Sequence, residues 1–108
     1  MDISVRWLYA AESDTGGIAA WKTPEGVWRE SYPEVTGYLL PTMIKWDAKD
    51  LALRCADWLL EIQNEDGSWN GLDNTPRPFD TSAIIEGLTY MFIVTGDFPY
   101  MRAANKAT

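Results

Sequence analysis

An internal repeat with a period near 50 residues limits the folds open to this chain. Residues 6–8 align with 57–59 at a spacing of 51, and the glycine turns that follow align in the same register. Segment 34–37 then aligns with 80–83 at a spacing of 46. Drift of this kind is typical of repeated helical hairpins, because their loops absorb insertions.

Apolar side chains recur at helical spacing, and the clearest predicted helix covers 47–64. Asp47 is its predicted N-cap, and its apolar stripe consists of Leu51, Cys55, Trp58, Leu59 and Ile62. The other predicted helices cover 2–11, 34–46, 80–94 and 97 to the chain end, with Asp80, Thr81 or Ser82 as the cap of the fourth. No strand is predicted, so the expected fold class is all-α.

The repeat and the helices together predict a single domain over residues 1–108. Its parts are a lone outer helix at about 2–12, repeat one at about 13–64 and repeat two at about 65–108. Long loops rich in Gly, Pro and aromatic residues cover 16–33 and 65–79, and long loops in compact domains are often functional.

The charge balance narrows the choice of partners. Nine Lys and Arg against sixteen Asp and Glu give a net charge of −7, which disfavours nucleic acid and anionic membrane surfaces. The longest mostly apolar run, 83–94, is shorter than the roughly 20 residues that a membrane span needs. The first residues carry no secretory signal, so a cytoplasmic location is expected. Cys55 is predicted to be a buried, inert thiol.

The chain contains no histidine. This excludes a Ser-His-Asp or Cys-His nucleophile, and any zinc site with a His ligand, within these residues. Any reaction would depend on carboxylates, arginines, tyrosines or hydroxyls. The sequence predicts no metal site and no cofactor.

Segment 58–69, WLLEIQNEDGSW, resembles the QW repeat of the terpenoid cyclase and protein prenyltransferase α/α toroids. Segments 31–42 (SYPEVTGYLLPT), 79–81 (FDT) and 95–97 (TGD) are similar to toroid proteins of polysaccharide metabolism. The resemblance covers almost the whole chain. It implies helical hairpins that form part of an (α/α) toroid, with inner helices lining a funnel and long loops meeting at its mouth.

The QW-like stretch has a structural interpretation. Gln63 can bond backbone groups at a helix end, Gly67 permits a tight turn, and Trp69 can stack over the amide and staple neighbouring hairpins. The first repeat has Glu12 and Ile18 at the positions of Gln63 and Trp69. We therefore predict a weaker first hairpin junction.

The loops carry the aromatic, acidic and arginine side chains that sugar sites combine. The candidate saccharide-binding residues are Trp21, Trp28, Glu30, Tyr32, Asp73 and Arg77. Glu34 and Asp80, at the starts of neighbouring helices, are the candidate acid–base pair. The same two acids suit helix capping and the helix dipole, so both interpretations stay open.

The sequence is compatible with three functions. The first is a carbohydrate-processing or carbohydrate-binding toroid segment, and the second is a non-catalytic helical-repeat interaction module. The third is a segment of a terpenoid cyclase-like enzyme, although the chain has neither a D-x-D-D run nor a histidine for the prenyltransferase zinc site.

A closed toroid needs more hairpins than this chain supplies. The chain is therefore expected to be a fragment of a longer toroid, a subunit that completes one by homo-oligomerisation, or a small open bundle. An exposed apolar surface is expected to favour self-association. Its predicted residues are Ile84, Ile85, Leu88, Met91 and Phe92.

Overall fold

The computed structural model describes residues 3–19, 22–28, 30–71 and 78–108, with the backbone alone for residues 3 and 78–80. These residues form five α-helices and no β-strand, which confirms the predicted all-α class. The helices are α1 (Ile3–Ala10), α2 (Pro33–Lys45), α3 (Lys49–Ile62), α4 (Pro78–Thr95) and α5 (Phe98–Ala107). Three isolated antiparallel bridges shape the loop between α1 and α2.

The helices lie in two layers. α2 packs along α4, α3 packs on α2, and α5 packs on α4. The molecule measures 38 × 31 × 20 Å, and its smallest dimension corresponds to two helices of about 10 Å each. We call α2 and α4 the inner helices and α1, α3 and α5 the outer helices. No helix among the described residues is long and apolar enough to cross a lipid bilayer.

Two glycines allow the inner helices to approach closely. A Cβ atom at Gly37 would lie 2.8 Å from the Cα atom of Ile84, and a Cβ atom at Gly87 would overlap the carbonyl oxygen of Gly37. Leu40 on α2 and Leu88 on α4 are fully buried beside this crossing point. The absence of a side chain therefore sets the distance between α2 and α4.

The prediction of an exposed apolar surface on α4 is wrong. Ile84, Leu88 and Met91 are fully buried, and Ile85 and Phe92 are partly buried. The helix α4 is apolar on nearly every side, so its sequence pattern does not show which side α2 covers. Among the described residues, the large apolar side chains left most exposed are Tyr38 (72%), Ile93 (72%), Phe98 (63%), Val27 (60%) and Trp7 (50%).

The predicted cap of α3 is also wrong. Asp47 has a φ of 62° and lies outside the helix, and Ala48 is the residue that precedes the first helical position. Ala48 makes no side-chain cap hydrogen bond. The apolar stripe is confirmed for Leu51, Cys55 and Leu59, which are fully buried, whereas its other two members, Trp58 and Ile62, are only partly buried.

Prolines begin both inner helices. α4 starts at Pro78, ahead of the three residues 80–82 that were predicted to cap it, and α2 starts at Pro33. Proline suits a first helical turn because its φ is already helical and because a backbone N–H at that position would have no acceptor within the helix. The inner helices therefore begin 45 residues apart (78 − 33), one fewer than the spacing of 46 in the sequence alignment.

The turns that follow α1 and α3 have the same backbone hydrogen bonds. In turn 13–17 the first N–H donates to the last carbonyl at 2.9 Å and the fourth N–H donates to the first carbonyl at 3.0 Å. Turn 64–68 has the same two bonds at 2.8 and 2.9 Å. The alignment of these turns at a spacing of 51 is confirmed.

Candidate functional site

A cleft of about 470 Å³ opens where the loop before α2 meets the loop after α3. We call it the interloop cleft. Its volume lies within the range of roughly 300–1,000 Å³ that is ordinary for small-molecule sites. It is lined by Glu30, Ser31, Pro33, Trp58, Ile62, Asn70 and Gly71.

Trp58 supplies the aromatic part of the interloop cleft. Its ring packs against the backbone of Gly16 and Gly17, where a Cβ atom on either residue would collide with the ring. Both glycines have a positive φ, of 109° and 76°, which other residues rarely adopt. Ser31 Oγ donates to the carbonyl oxygen of Gly16. The glycine turn therefore holds both the ring and the loop that faces it.

The polar part of the cleft is built on a chain of hydrogen bonds. Asn64 Nδ2 donates to Asn70 Oδ1 at 2.9 Å and to Ser68 Oγ at 3.1 Å. Asp66 Oδ1 accepts from the backbone N–H of Ser68 at 2.9 Å and from its hydroxyl at 2.6 Å. These bonds from Ser68 lower the pKa of Asp66. The network orients the amide of Asn70, and the acidic residue Glu30 lines the same cleft.

Gln63 joins the loop after α3 to the outer helix α5. Its Nε2 donates to the carbonyl oxygens of Gly67 and Ala103, both at 2.9 Å. Gly67 has a φ of 95°, and a Cβ atom there would overlap the carbonyl oxygen of Lys106. The tight turn and the amide together attach the loop to the last turns of α5.

Trp69 is fully buried under this turn. Its ring Nε1 donates to the carbonyl oxygen of Leu59 at 2.8 Å, and its backbone N–H lies 3.5 Å from Thr81 Oγ1. At the equivalent place in the first repeat, the N–H of Ile18 donates to Thr36 Oγ1 at 2.9 Å. Both residues pin a loop to an inner helix, so Trp69 has a packing role.

At the first hairpin junction, after α1, an ion pair of Glu12 stands where the second junction has the amide of Gln63. Arg54 on α3 donates to both carboxylate oxygens of Glu12, at 2.8 and 3.0 Å, and to Asp50 at 3.4 Å. Tyr9 donates its hydroxyl to Asp50, and this bond lowers the pKa of the Asp50 carboxyl. The bond to Glu12 raises the pKa of Arg54. α1 is thereby linked to α3 by side chains at the surface.

The predicted saccharide-binding residues do not all meet. Glu30 lines the interloop cleft. Tyr32 is the N-cap of α2, where its backbone carbonyl accepts from the hydroxyl of Thr36 at 2.8 Å. Trp28 lies elsewhere, packed edge to face on Trp7 with 5.2 Å between ring centroids. Lys22 Nζ lies 5.2 Å from the same Trp28 ring.

The candidate acid–base pair is described only in part. Glu34 lies in the first turn of α2, where a carboxylate favours the helix dipole, and it does not line the interloop cleft. The side chain of Asp80 lies outside the described residues, as do the whole of Trp21, Asp73 and Arg77. In the part of the chain that the structure describes, no three Asp, Glu or Cys side chains form a group suited to a metal ion.

The sequence predicts Glu30 as a site residue but not the other six residues that line the cleft, Trp58 and Asn70 among them. Trp58 belongs to the apolar stripe of α3, which predicts a core position, and Asn70 follows Trp69 in a loop without a periodic pattern. The exposure of Trp58 depends on which neighbours the stripe meets.

Comparisons of the chain with protein-family models, with curated proteins and with solved structures found no match. The chemistry of the lining residues then indicates the kind of ligand that the cleft suits. An indole ring, a carboxylate and an amide complement a ligand with one apolar face and several hydroxyl groups.

Proposed function

We propose that this chain binds carbohydrate in the interloop cleft, as a segment of an α/α toroid. The observation that carries the proposal is the convergence of Trp58, Glu30 and Asn70 on one cavity of about 470 Å³. The three side chains come from α3 and from two separate loops. The three residues are far apart in the sequence, so it is the fold that brings them together.

Each side chain has a part in binding a sugar. The indole of Trp58 offers an apolar surface for the C–H face of a pyranose ring, and its position is fixed by Gly16 and Gly17. The carboxylate of Glu30 accepts hydrogen bonds from ligand hydroxyls, and bonds to a charged group are stronger than neutral ones. The amide of Asn70 is already oriented by Asn64, which reduces the entropy lost on binding.

The toroid part of the proposal is supported by the packing. Inner helices α2 and α4 lie side by side, and each is followed by an outer helix that packs on it. The turns at 13–17 and 64–68 repeat their hydrogen bonds, and both inner helices begin at a proline. These are the features of a stack of equivalent hairpins.

Binding is proposed rather than cleavage. Glycoside hydrolysis generally uses two carboxyl groups that flank the scissile bond. Among the described residues that line the cleft, Glu30 is the one acidic residue, and Glu34 lies in the first turn of α2 outside the cleft. The described set therefore favours recognition.

The test is a titration of the purified chain with neutral and acidic oligosaccharides, followed by tryptophan fluorescence and by calorimetry. We expect at least one class to bind and to change the emission. Glu30→Gln should weaken that binding about tenfold, since a hydrogen bond to a charged group is worth about 1.5–3 kcal/mol.

Glu25→Gln is the matched control, because Glu25 is also an exposed loop carboxylate and does not line the cleft. It should leave the affinity unchanged. The proposal fails if no oligosaccharide binds, or if both variants bind as tightly as the original chain.

A further inference from the structure

A second concave surface lies on the opposite side of α2 from α4. It is an apolar groove of about 390 Å³ between α1 and α2. It is lined by Ser4, Trp7 and Leu8 of α1 and by Leu39, Thr42 and Trp46 of α2. Trp7 is 50% exposed and Trp46 is 43% exposed, so two indole rings face solvent at its edges. We call it the α1–α2 groove.

The repeat shows what the groove corresponds to. Adding 51 to the three α1 positions gives Cys55, Trp58 and Leu59 on α3. Adding 45 to the three α2 positions gives Ile84, Gly87 and Met91 on α4. The groove is thus the equivalent of a surface formed by α3 and α4.

In the second repeat that surface is covered by α2. Gly37 of α2 lies against Ile84 and Gly87 of α4, and Leu40 Cδ1 lies 3.1 Å from the position of a Cβ atom on Gly87. The residues Cys55, Leu59, Ile84 and Met91 are fully buried there. Of the corresponding residues of α1 and α2, Leu8 is also buried, whereas Leu39 and Thr42 are only partly buried and Trp7 and Trp46 are about half exposed. No helix among the described residues lies over α1 and α2 as α2 lies over α3 and α4.

We propose that the α1–α2 groove is a docking site for an amphipathic helix of a partner chain, with the buried pattern of α2. The occupant carries a small residue at the position of Gly37, flanked by apolar residues at the positions of Leu40 and Met43. The small residue faces Leu39, and the apolar pair lies over Thr42 and Trp46. Docking continues the interface by which α2 packs on α3 and α4. The inference does not depend on saccharide binding.

Residue Thr42 adjusts the fit. It stands where α4 has Gly87, so the incoming helix meets a hydroxyl and a methyl group in place of bare backbone. The partner helix therefore crosses α2 at a greater distance than α2 crosses α4. This leaves room for a larger residue at the crossing point than the second repeat accepts.

The test supplies an α2-like helix in the correct register. A second copy of residues 30–51 is placed directly ahead of Met1, which continues the spacing of 51. Tethering raises the effective concentration, so even weak docking is populated. The reporter is the Thr42→Cys variant, alkylated with N-ethylmaleimide, since the natural Cys55 is fully buried.

We expect the extension to slow alkylation at position 42 several-fold and to leave a Glu61→Cys reporter unchanged, because Glu61 is exposed on α3 away from the groove. The matched control is the same extension with Leu40→Lys and Met43→Lys in the added copy, which should give no protection. Circular dichroism of each variant verifies that it is folded.

Equal alkylation with and without the extension would overturn the proposal. So would protection by the control extension, because a helix without the apolar pattern would then suffice. Protection of position 42 that increases with concentration in the unextended chain would assign the groove to a second copy of this chain instead.

Discussion

Cys55 lies in the middle of α3 with no exposed surface, and burial raises the pKa of its thiol from 9.0 to about 12. The ionised form is disfavoured because the surrounding apolar side chains cannot solvate a thiolate. The sequence predicted this burial from the apolar stripe, and the structure places the sulfur in the same core cluster as Leu51 and Leu59.

The raised pKa of Cys55 predicts a loss of stability in alkali. The unfolded chain releases the thiol proton near pH 9, whereas the folded chain holds it to about pH 12. Between these values the folded state binds more protons, so the free energy of unfolding falls as the pH rises, with a slope that approaches 1.4 kcal/mol per pH unit, an order-of-magnitude figure. Urea unfolding at pH 8, 9 and 10 measures it.

Cys55→Ala removes the titrating group and is the control for this prediction. Its free energy of unfolding should depend less on pH between 9 and 10 than that of the original chain. Above pH 10 both chains should lose stability, since burial and the hydrogen bond to Asp57 raise the pKa of Tyr100 as well. Parallel curves for the two chains from pH 8 to 10 would contradict the assignment.

The two hairpin junctions hold equivalent turns by different chemistry. Gln63 donates to two backbone carbonyls at the second junction, whereas Glu12 pairs with the partly exposed Arg54 at the first. The half-buried amide of Gln63 makes hydrogen bonds to both carbonyl oxygens, and water could not take its place without a loss of packing. An exposed ion pair competes with solvent and with salt.

We therefore predict that Gln63→Ala destabilises the chain more than Glu12→Ala, its counterpart 51 residues earlier. The loss of two hydrogen bonds should cost about 1–3 kcal/mol, and the loss of the surface pair should cost about 0.2–1 kcal/mol. Thermal and urea unfolding of the two variants give both values.

The dependence on salt distinguishes the ion pair of Glu12 from the hydrogen bonds of Gln63. In 1 M NaCl the cost of Glu12→Ala should shrink, because screening weakens the pair with Arg54, and the cost of Gln63→Ala should persist. An equal cost for both variants, or a larger cost at Glu12, would refute the prediction that the first junction is the weaker one.

The sequence predicts elements better than it predicts their ends and neighbours. In α3 the apolar stripe alone indicates the buried face, as Leu51 and Leu59 show. Its start was missed because Asp47 adopts a positive φ, which a polar residue before a helix does not reveal. Residue preferences for the N-cap are averages over many helices, whereas the local backbone conformation determines which residue precedes a particular helix.

The interloop cleft was harder to predict than the helices. The sequence predicts Glu30 as a site residue because Glu30 lies in a loop rich in aromatic and acidic residues, but it does not predict Trp58 or Asn70. Loop residues have no period, so no pattern shows which of them meet across the fold. Their meeting depends on the glycine turn under Trp58 and on the bond from Asn64 to Asn70.

At the scale of the whole molecule, the contact between α2 and α4 joins the two hairpins. The helices approach until the carbonyl oxygen of Gly37 lies over Gly87, and Leu40 and Leu88 are sealed from solvent beside it. In a stack of repeats, stability is the sum of each unit and its interfaces with neighbours. The α2–α4 contact is the most extensive contact between two helices of the molecule. We therefore expect it to contribute most to the cooperative unfolding of the two hairpins.

Gly87→Ala tests that dependence. The added methyl group would overlap the carbonyl oxygen of Gly37, so the inner helices must separate or shift. Overpacking of this kind costs about 1–3 kcal/mol, against a gain of about 1 kcal/mol from the better helix propensity of alanine. We expect a net loss of stability and a lower urea m-value, because hairpins with a weakened interface unfold less cooperatively.

Glu86→Ala, at the neighbouring exposed position of α4, is the control for helix propensity without the steric overlap. Its free energy of unfolding should stay within about 0.5 kcal/mol of the original value, with an unchanged m-value. If Gly87→Ala were instead as stable as Glu86→Ala, α2 and α4 would not need close contact at Gly37, and the two hairpins would be coupled elsewhere. The remaining candidates would be the bond from Gln63 to Ala103 of α5 and the contact from the Trp69 N–H to Thr81 of α4, which also join the two hairpins.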